Sequence, residues 1–168
     1  IENRRPTLLI DEADQLFANH NNDLLAVLNS SHRKSTAFVM RAVEVQPGVY
    51  EAMQFATWAP VMFAGIRELP PTLQDRSIVL WLERALPGEV HKHLRDGQCP
   101  ELSVCARKLM RWSEDLVELP DVRMPAIFSN RVGDNWRPLF AIAQMAGGEW
   151  QQRSLNAATK FLAMGSTN

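Results

Sequence analysis

Cysteine is nearly absent from this chain of 168 residues: Cys99 and Cys105 stand six apart with no framework spacing. That excludes a disulfide-stapled secreted scaffold and suits free thiols in a reducing, cytoplasmic compartment. No apolar run approaches the ~20 residues of a membrane-spanning helix, so no membrane partner is expected. Excess charge of either sign is missing as well, with 18 basic against 19 acidic residues, nearly balanced in each half. Neither half is a basic nucleic-acid magnet, and any DNA contact is expected to be local or to come from missing parts. There is no internal repeat and no low-complexity tract. The cluster His91-Lys92-His93 with Cys99 and Cys105 lacks the close cysteine pair of a structural zinc site, and on a helix its histidines project to different faces. No zinc is expected.

What is present is enough apolar material, 46 %, to build a core. Its most informative stretch is Thr7-Leu8-Leu9-Ile10-Asp11-Glu12-Ala13-Asp14, a short apolar run ending in adjacent carboxylates before helix-forming residues take over. One reading is a strand end whose acids merely cap the following helix. The other is a buried central strand of a nucleotide-hydrolysing α/β domain, delivering acids to a phosphate crevice. Asp11 would then help hold Mg²⁺, and Glu12 would orient the attacking water. The glycine-rich phosphate loop G-x-x-x-x-G-K-[ST] that such a site needs occurs nowhere in these residues. The chain opens on Ile1 a few residues before a core strand, so the natural protein is expected to extend upstream, where that loop would lie.

Further along, Leu24, Leu25 and Leu28 fall at helical spacing, which predicts a helix from Asn21 to Arg33. Ala37–Val45 and Val49–Thr57 flank Gln46-Pro47-Gly48 and predict a β-hairpin with a slightly irregular tip. Pro60–Ile66 reads as a buried parallel strand, Leu69–Asp75 as a short helix or turn, and Ser77–Leu82 as the last strand. From Pro87 the pattern turns helical. Pro87 suits the start of a helix through Glu89–Arg95, and Leu102, Cys105, Leu109, Trp112 and Leu116 form one stripe. Asp134 or Asn135 would cap a helix bearing Trp136, Leu139, Phe140 and Ala143, with Pro138 in its first turn. Gly147-Gly148 would end that helix, and Glu149–Ala163 would form another. Trp81, Trp112, Trp136 and Trp150 read as core or interface residues. Two parts are expected, residues 1–84 as an α/β core and 85–168 as a helical lid.

The run Thr7–Asp14, the stretch Val27-Leu28-Asn29-Ser30, the segment Leu69–Ile78 and Asp134-Asn135-Trp136-Arg137-Pro138-Leu139 together resemble one family. It is the domain-of-unknown-function family at the C-terminal end of phage- and plasmid-type primase/helicase-like proteins, itself similar to AAA+ ATPases. The resemblance covers roughly Arg5 to Thr159. It implies a partial P-loop NTPase core lacking its phosphate-loop strand, with a β-hairpin insertion and a C-terminal helical lid. It also implies ATP and Mg²⁺ as cofactors, a ring-shaped homo-oligomer, and single- or double-stranded DNA as track. Asp11 matches the metal-binding acid and Glu12 the water-activating one. Arg76 stands where an arginine finger would lie, its alternative being a plain salt bridge to Asp75 or a neighbouring loop. Arg137 stands where a phosphate-sensing arginine of the lid would lie, its alternative being a plain surface arginine.

The strand at Pro60–Ile66 departs from the AAA+ pattern, offering Gly65 and Ile66 where a polar sensor would be expected. A DEAD-box reading of Asp11-Glu12-Ala13-Asp14 fails on context, because Phe63-Ala64-Gly65 replaces the Ser-Ala-Thr-type motif. The hairpin could touch DNA only through Arg41 and Tyr50, and covering the core is the plainer role. The alternative function is a non-catalytic assembly module with an ATPase-like shape. A sequence-specific DNA-binding domain lacks a basic helix. Without upstream strands, exposed sheet edges and apolar surface are expected to make the chain marginal or self-associating.

Overall fold

Short apolar runs punctuated by turn residues build the first part of the chain, and long helical stretches build the second. The computed structural model describes residues 6–18, 22–89, 99–116, 118–128 and 130–165. Elements follow in the order β1 (Leu8–Ile10), α1 (Ala13–Ala18), α2 (Asn22–Ser30), β2 (Phe38–Gln46), β3 (Val49–Ala56), β4 (Val61–Phe63), α3 (Pro71–Gln74), α4 (Pro100–Glu114), α5 (Asn130–Ala146) and α6 (Trp150–Gly165). The architecture is mixed α/β and divides into two units, Ile1–Val79 and Leu80–Asn168.

In the first unit, β1 pairs parallel with β4, in the register Leu8↔Val61, Leu9↔Met62 and Ile10↔Phe63. Successive side chains of a strand point to opposite faces. One face carries half-buried Leu8, Ile10, Val61 and Phe63, on which Phe17 of α1 closes edge-on with ring centres 6.3 Å apart. The other face leaves Leu9 74 % and Met62 65 % exposed. The expectation of buried strands is therefore corrected: among the described residues this sheet has two strands, and it is covered on one side only.

The hairpin forms as expected. A two-residue loop of Pro47 and Gly48 joins β2 to β3, with Gly48 at φ +78°, a conformation glycine adopts without steric cost. Proline followed by a positive-φ residue gives type II geometry, whose twist mismatches that of paired strands. The mismatch is absorbed at Val45, an extra residue between the pairs Glu44↔Tyr50 and Gln46↔Val49. The hairpin base is tied to α2 through Thr57, which is 2 % exposed. Its hydroxyl lies 2.8 Å from Ser30 Oγ and its amide donates to the Ala37 carbonyl at 2.9 Å.

The expected last strand, Ser77–Leu82, does not form. Ser77 turns back on α3, its amide donating to Gln74 O and its hydroxyl to Leu73 O. The residues that follow run irregularly, with Leu82 91 % exposed.

The second unit is helical. α5 and α6 form a hairpin around buried Phe128, Trp136, Phe140, Ala141, Ala143 and Ala158. Rings meet at 5.7 Å between Phe128 and Phe140 and at 5.5 Å between Trp136 and Phe161. Gly147 ends α5 in the left-handed conformation, its amide returning to Ala143 O at 3.2 Å. α5 begins a turn earlier than expected, so Asp134 and Asn135 lie within the helix rather than capping it, and Pro138 is interior. The extension brings Gly133 against the Phe128 carbonyl, where a Cβ would lie 2.7 Å from that oxygen.

Two further expectations change. The stripe Leu102, Cys105, Leu109 and Trp112 does lie on α4, but no residue of that helix is buried. Of the tryptophans assigned to core or interface, only Trp136 is buried, whereas Trp81, Trp112 and Trp150 are exposed. Pro87 sits in a turn with Gly88 at φ +92°, and the rest of the expected Glu89–Arg95 helix, with His91 and His93, lies outside the described residues. Asn21 does too. Among the described residues, no helix is long and apolar enough to cross a membrane.

Because backbone oxygen cannot move aside cheaply, Gly133→Ala is expected to destabilise the helical unit by about 1–3 kcal/mol, the usual range for overpacking. Chemical denaturation followed by far-ultraviolet circular dichroism measures it, and an unchanged midpoint would contradict the close approach.

Candidate functional site

The acids leave the carboxyl end of β1 through a turn only two residues long. Bonding between the two parallel segments continues past the strands, with Ala64 N donating to Ile10 O at 2.8 Å and Ala13 N donating to Ala64 O at 2.9 Å. α1 therefore starts against β4, and the chain must reverse within Asp11 and Glu12. It does so with Glu12 at φ +52°, left-handed backbone that glutamate adopts at a cost of roughly 1–2 kcal/mol. Asp11 Oδ1 accepts the Glu12 amide at 2.8 Å, and the Glu12 carbonyl accepts from Gln15 N and Leu16 N to open the helix. Both residues are exposed. Asp11 thus satisfies the turn with one oxygen, from an exposed position.

Asp14, which the sequence reading did not single out, links the two strand ends. Its Oδ1 accepts the Ile66 amide at 3.3 Å, and a Cβ on Gly65 would stand 2.8 Å from that same oxygen. Gly65, where a polar sensor was expected, thus lies against the Asp14 carboxylate. The available signal was the spacing of Asp14 three residues after Asp11, which places it in the first turn of the helix.

Arg76 is half-buried at the end of α3, and its Nη1 donates to Thr72 O at 2.6 Å. Arg137 belongs to the helical unit. There its Nη1 donates to Val122 O at 3.0 Å and lies 3.5 Å from Asp121 Oδ1, pinning the segment ahead of α5. That segment, with Gln144 and Met145, lines an open depression of ≈ 800 Å³ also bordered by Glu118, Leu119 and Pro120.

Among the described residues, no cluster of three or more His, Cys, Asp or Glu could hold a metal ion. A lone exposed carboxylate suits Mg²⁺, which commonly takes one or two protein carboxylates and completes its shell with phosphate oxygens and water. It does not suit a metal held by protein alone.

Residues 81–168, just over half of the chain, match the family described as protein of unknown function (DUF3631). The chain belongs to this family. The match coincides with the helical unit, so within DUF3631 terms Arg137 lies inside the matched region and Asp11, Glu12 and Arg76 lie outside it. The chain is also similar to an uncharacterized 28.9 kDa protein in the xis 5′ region of Saccharopolyspora erythraea. They are 33 % identical over 93 residues, covering 52 % of this chain and 34 % of the relative. The chain thus spans about a third of that relative's length. No solved structure matches it.

Two substitutions test the turn. Glu12→Gly relieves left-handed strain and is expected to leave stability unchanged or raise it by up to ~1 kcal/mol, a gain that thermal denaturation would register; a clear loss would mean that the glutamate side chain supports the fold. Gly65→Ala is expected to push Asp14 away and forfeit about 1 kcal/mol, the worth of its hydrogen bond. In a double-mutant cycle with Asp14→Ala the two effects should be less than additive, and full additivity would separate the residues.

Proposed function

We propose that this chain supplies the acid-bearing strand of an ATP-dependent primase/helicase-type motor of mobile-element replication, in a partial AAA+-like P-loop NTPase core whose lid is the helical unit. One observation carries the reading. Two exposed acids emerge at the carboxyl end of a strand that runs parallel to its neighbour, the place where open α/β sheets bind their ligands. The left-handed glutamate there agrees with it, since strained backbone gathers at functional turns.

Bound ATP and Mg²⁺ would supply the phosphoanhydride bond and the charge that screens it. Asp11 would hold the ion through its second oxygen, and Glu12, pointing into solvent from the turn, would orient the attacking water and take up its proton. Arg76 would leave the Thr72 carbonyl to reach the nucleotide of a neighbouring subunit in a ring, where a guanidinium offsets charge building on the phosphoryl group. Arg137 would read phosphate from the lid. The phosphate loop would come from another part of the parent protein, and single- or double-stranded DNA would be the track.

Gly65 and its contact with Asp14 favour a second reading, a non-catalytic assembly module that keeps the ATPase shape without a polar sensor. Glu12→Gln in the intact parent separates the two. The motor predicts turnover reduced by roughly 10²–10⁴-fold, the usual contribution of a positioned general base, with ATP binding retained. Turnover unaffected by the substitution removes Glu12 as activator, and a parent that assembles yet binds no ATP supports the module. The 168-residue chain alone is expected to show no micromolar Mg·ATP affinity in calorimetry, because it contains no G-x-x-x-x-G-K-[ST] cradle.

A further inference from the structure

The two long edges of the hairpin are not alike. β2 carries the Val45 bulge, and its Arg41 is held 3.3 Å from Asp23 of α2, devices that blunt an edge against further pairing. β3, Val49–Ala56, contains no bulge, proline, lysine or arginine, and its other edge faces no strand among the described residues. Every position of β3 is exposed except half-buried Phe55.

Cross-strand register sorts the side chains into two faces. Val39, Val43 and Phe55 are half-buried and share the α2 side with Arg41. The opposite face holds Phe38, Met40, Ala42, Ala52, Gln54 and Tyr50 and is exposed throughout. Its one charge, Glu44 near the tip, accepts the Gly48 amide at 2.8 Å. This face offers no cation to nucleic acid and little charge to steer a polar partner. A hairpin of two strands is marginal in water, and three or more strands over an apolar face are the stable unit.

We propose that β3 pairs edge to edge with β3 of a second copy of this chain, forming a four-stranded antiparallel sheet about a twofold axis. The strand is self-complementary in that arrangement. With the axis at Ala52, Ala52 meets its own copy, Tyr50 meets Gln54, Val49 meets Phe55, and Glu51, the only charge in β3, meets Met53 rather than itself. Like charges directly opposite would oppose pairing, and none arise. The faces bearing Met40, Ala42 and Ala52, each with Glu44 as its one charge, then lie on the same side in both copies as one continuous surface. The contact is isologous, and it is independent of the nucleotide reading and of the ring proposed for Arg76.

Sedimentation of the 168-residue chain across a concentration series is expected to show a monomer–dimer equilibrium. Ala52→Lys sets two ammonium groups opposite each other at an exposed position and is expected to weaken association roughly tenfold. Ala52→Cys, made with Cys99→Ser and Cys105→Ser, is the deciding variant. Opposed strand residues lie within disulfide reach, so diamide oxidation is expected to give a covalent dimer, whereas Val45→Cys on the other edge in the same background gives none. A chain that stays monomeric at every concentration overturns the proposal. So does a dimer that the cysteine at position 52 fails to link.

Discussion

Main-chain pairing between Leu8–Ile10 and Val61–Phe63 is the constraint from which the acidic turn follows. The two segments are far apart in sequence, and parallel strands always need such a crossover. Once they are side by side, their bonding runs on past the last pair until the first amide of α1 is spent on Ala64 O. That bond fixes where the helix begins. It leaves two residues for the reversal, which forces Glu12 into left-handed backbone and turns Asp14 toward Gly65 and Ile66. The exposure of Asp11 and Glu12, the strain at Glu12 and the absence of a side chain at Gly65 are thus consequences of one register.

Elements whose signal is local were readable from the residues alone. Pro47-Gly48 between β-rich runs specified the hairpin, Gly147-Gly148 marked the end of α5, and Leu69–Asp75 held a short helix. The parallel partner of the acidic strand was readable too, because a continuous apolar run after a hairpin has few other uses. Burial was not. Leu9, Met62, Leu109 and Trp112 belong to patterns that normally mark a core, yet in this chain they face solvent. Periodicity reports which face of an element is apolar and is silent about what lies against it. Ser77–Leu82 did not form a strand: Ser77 donates its amide to Gln74 O and its hydroxyl to Leu73 O, which turns the start of the segment back on α3. Asp134 and Asn135 looked like caps because their side chains suit that position, but α5 already starts at Asn130 and leaves both inside the helix.

Within the candidate site, residue types were legible and their couplings were not. Asp11 and Glu12 stand where a strand-to-helix turn was expected, but Arg76 and Arg137 are each engaged by backbone carbonyls of their own unit, Thr72 and Val122. For an arginine to act on a phosphate it must exchange such a bond for a stronger charged one, which a bidentate phosphate contact provides. In the structure each arginine is tied to a main-chain oxygen within its own unit.

The Asp14–Gly65 contact bears on chemistry more directly. A sensor side chain after β4 needs a Cβ at residue 65, and the space for it is filled by a carboxylate that is itself held by the Ile66 amide. Seating a side chain there would displace Asp14 from the Ile66 amide at the cost of about one hydrogen bond, ~1 kcal/mol. Ile66 cannot substitute, being apolar. In the motor reading, Glu12, exposed at its left-handed turn, is the residue of this strand pair that would position water. A hydrolytic parent would have to add any second water-orienting group from residues outside this strand pair.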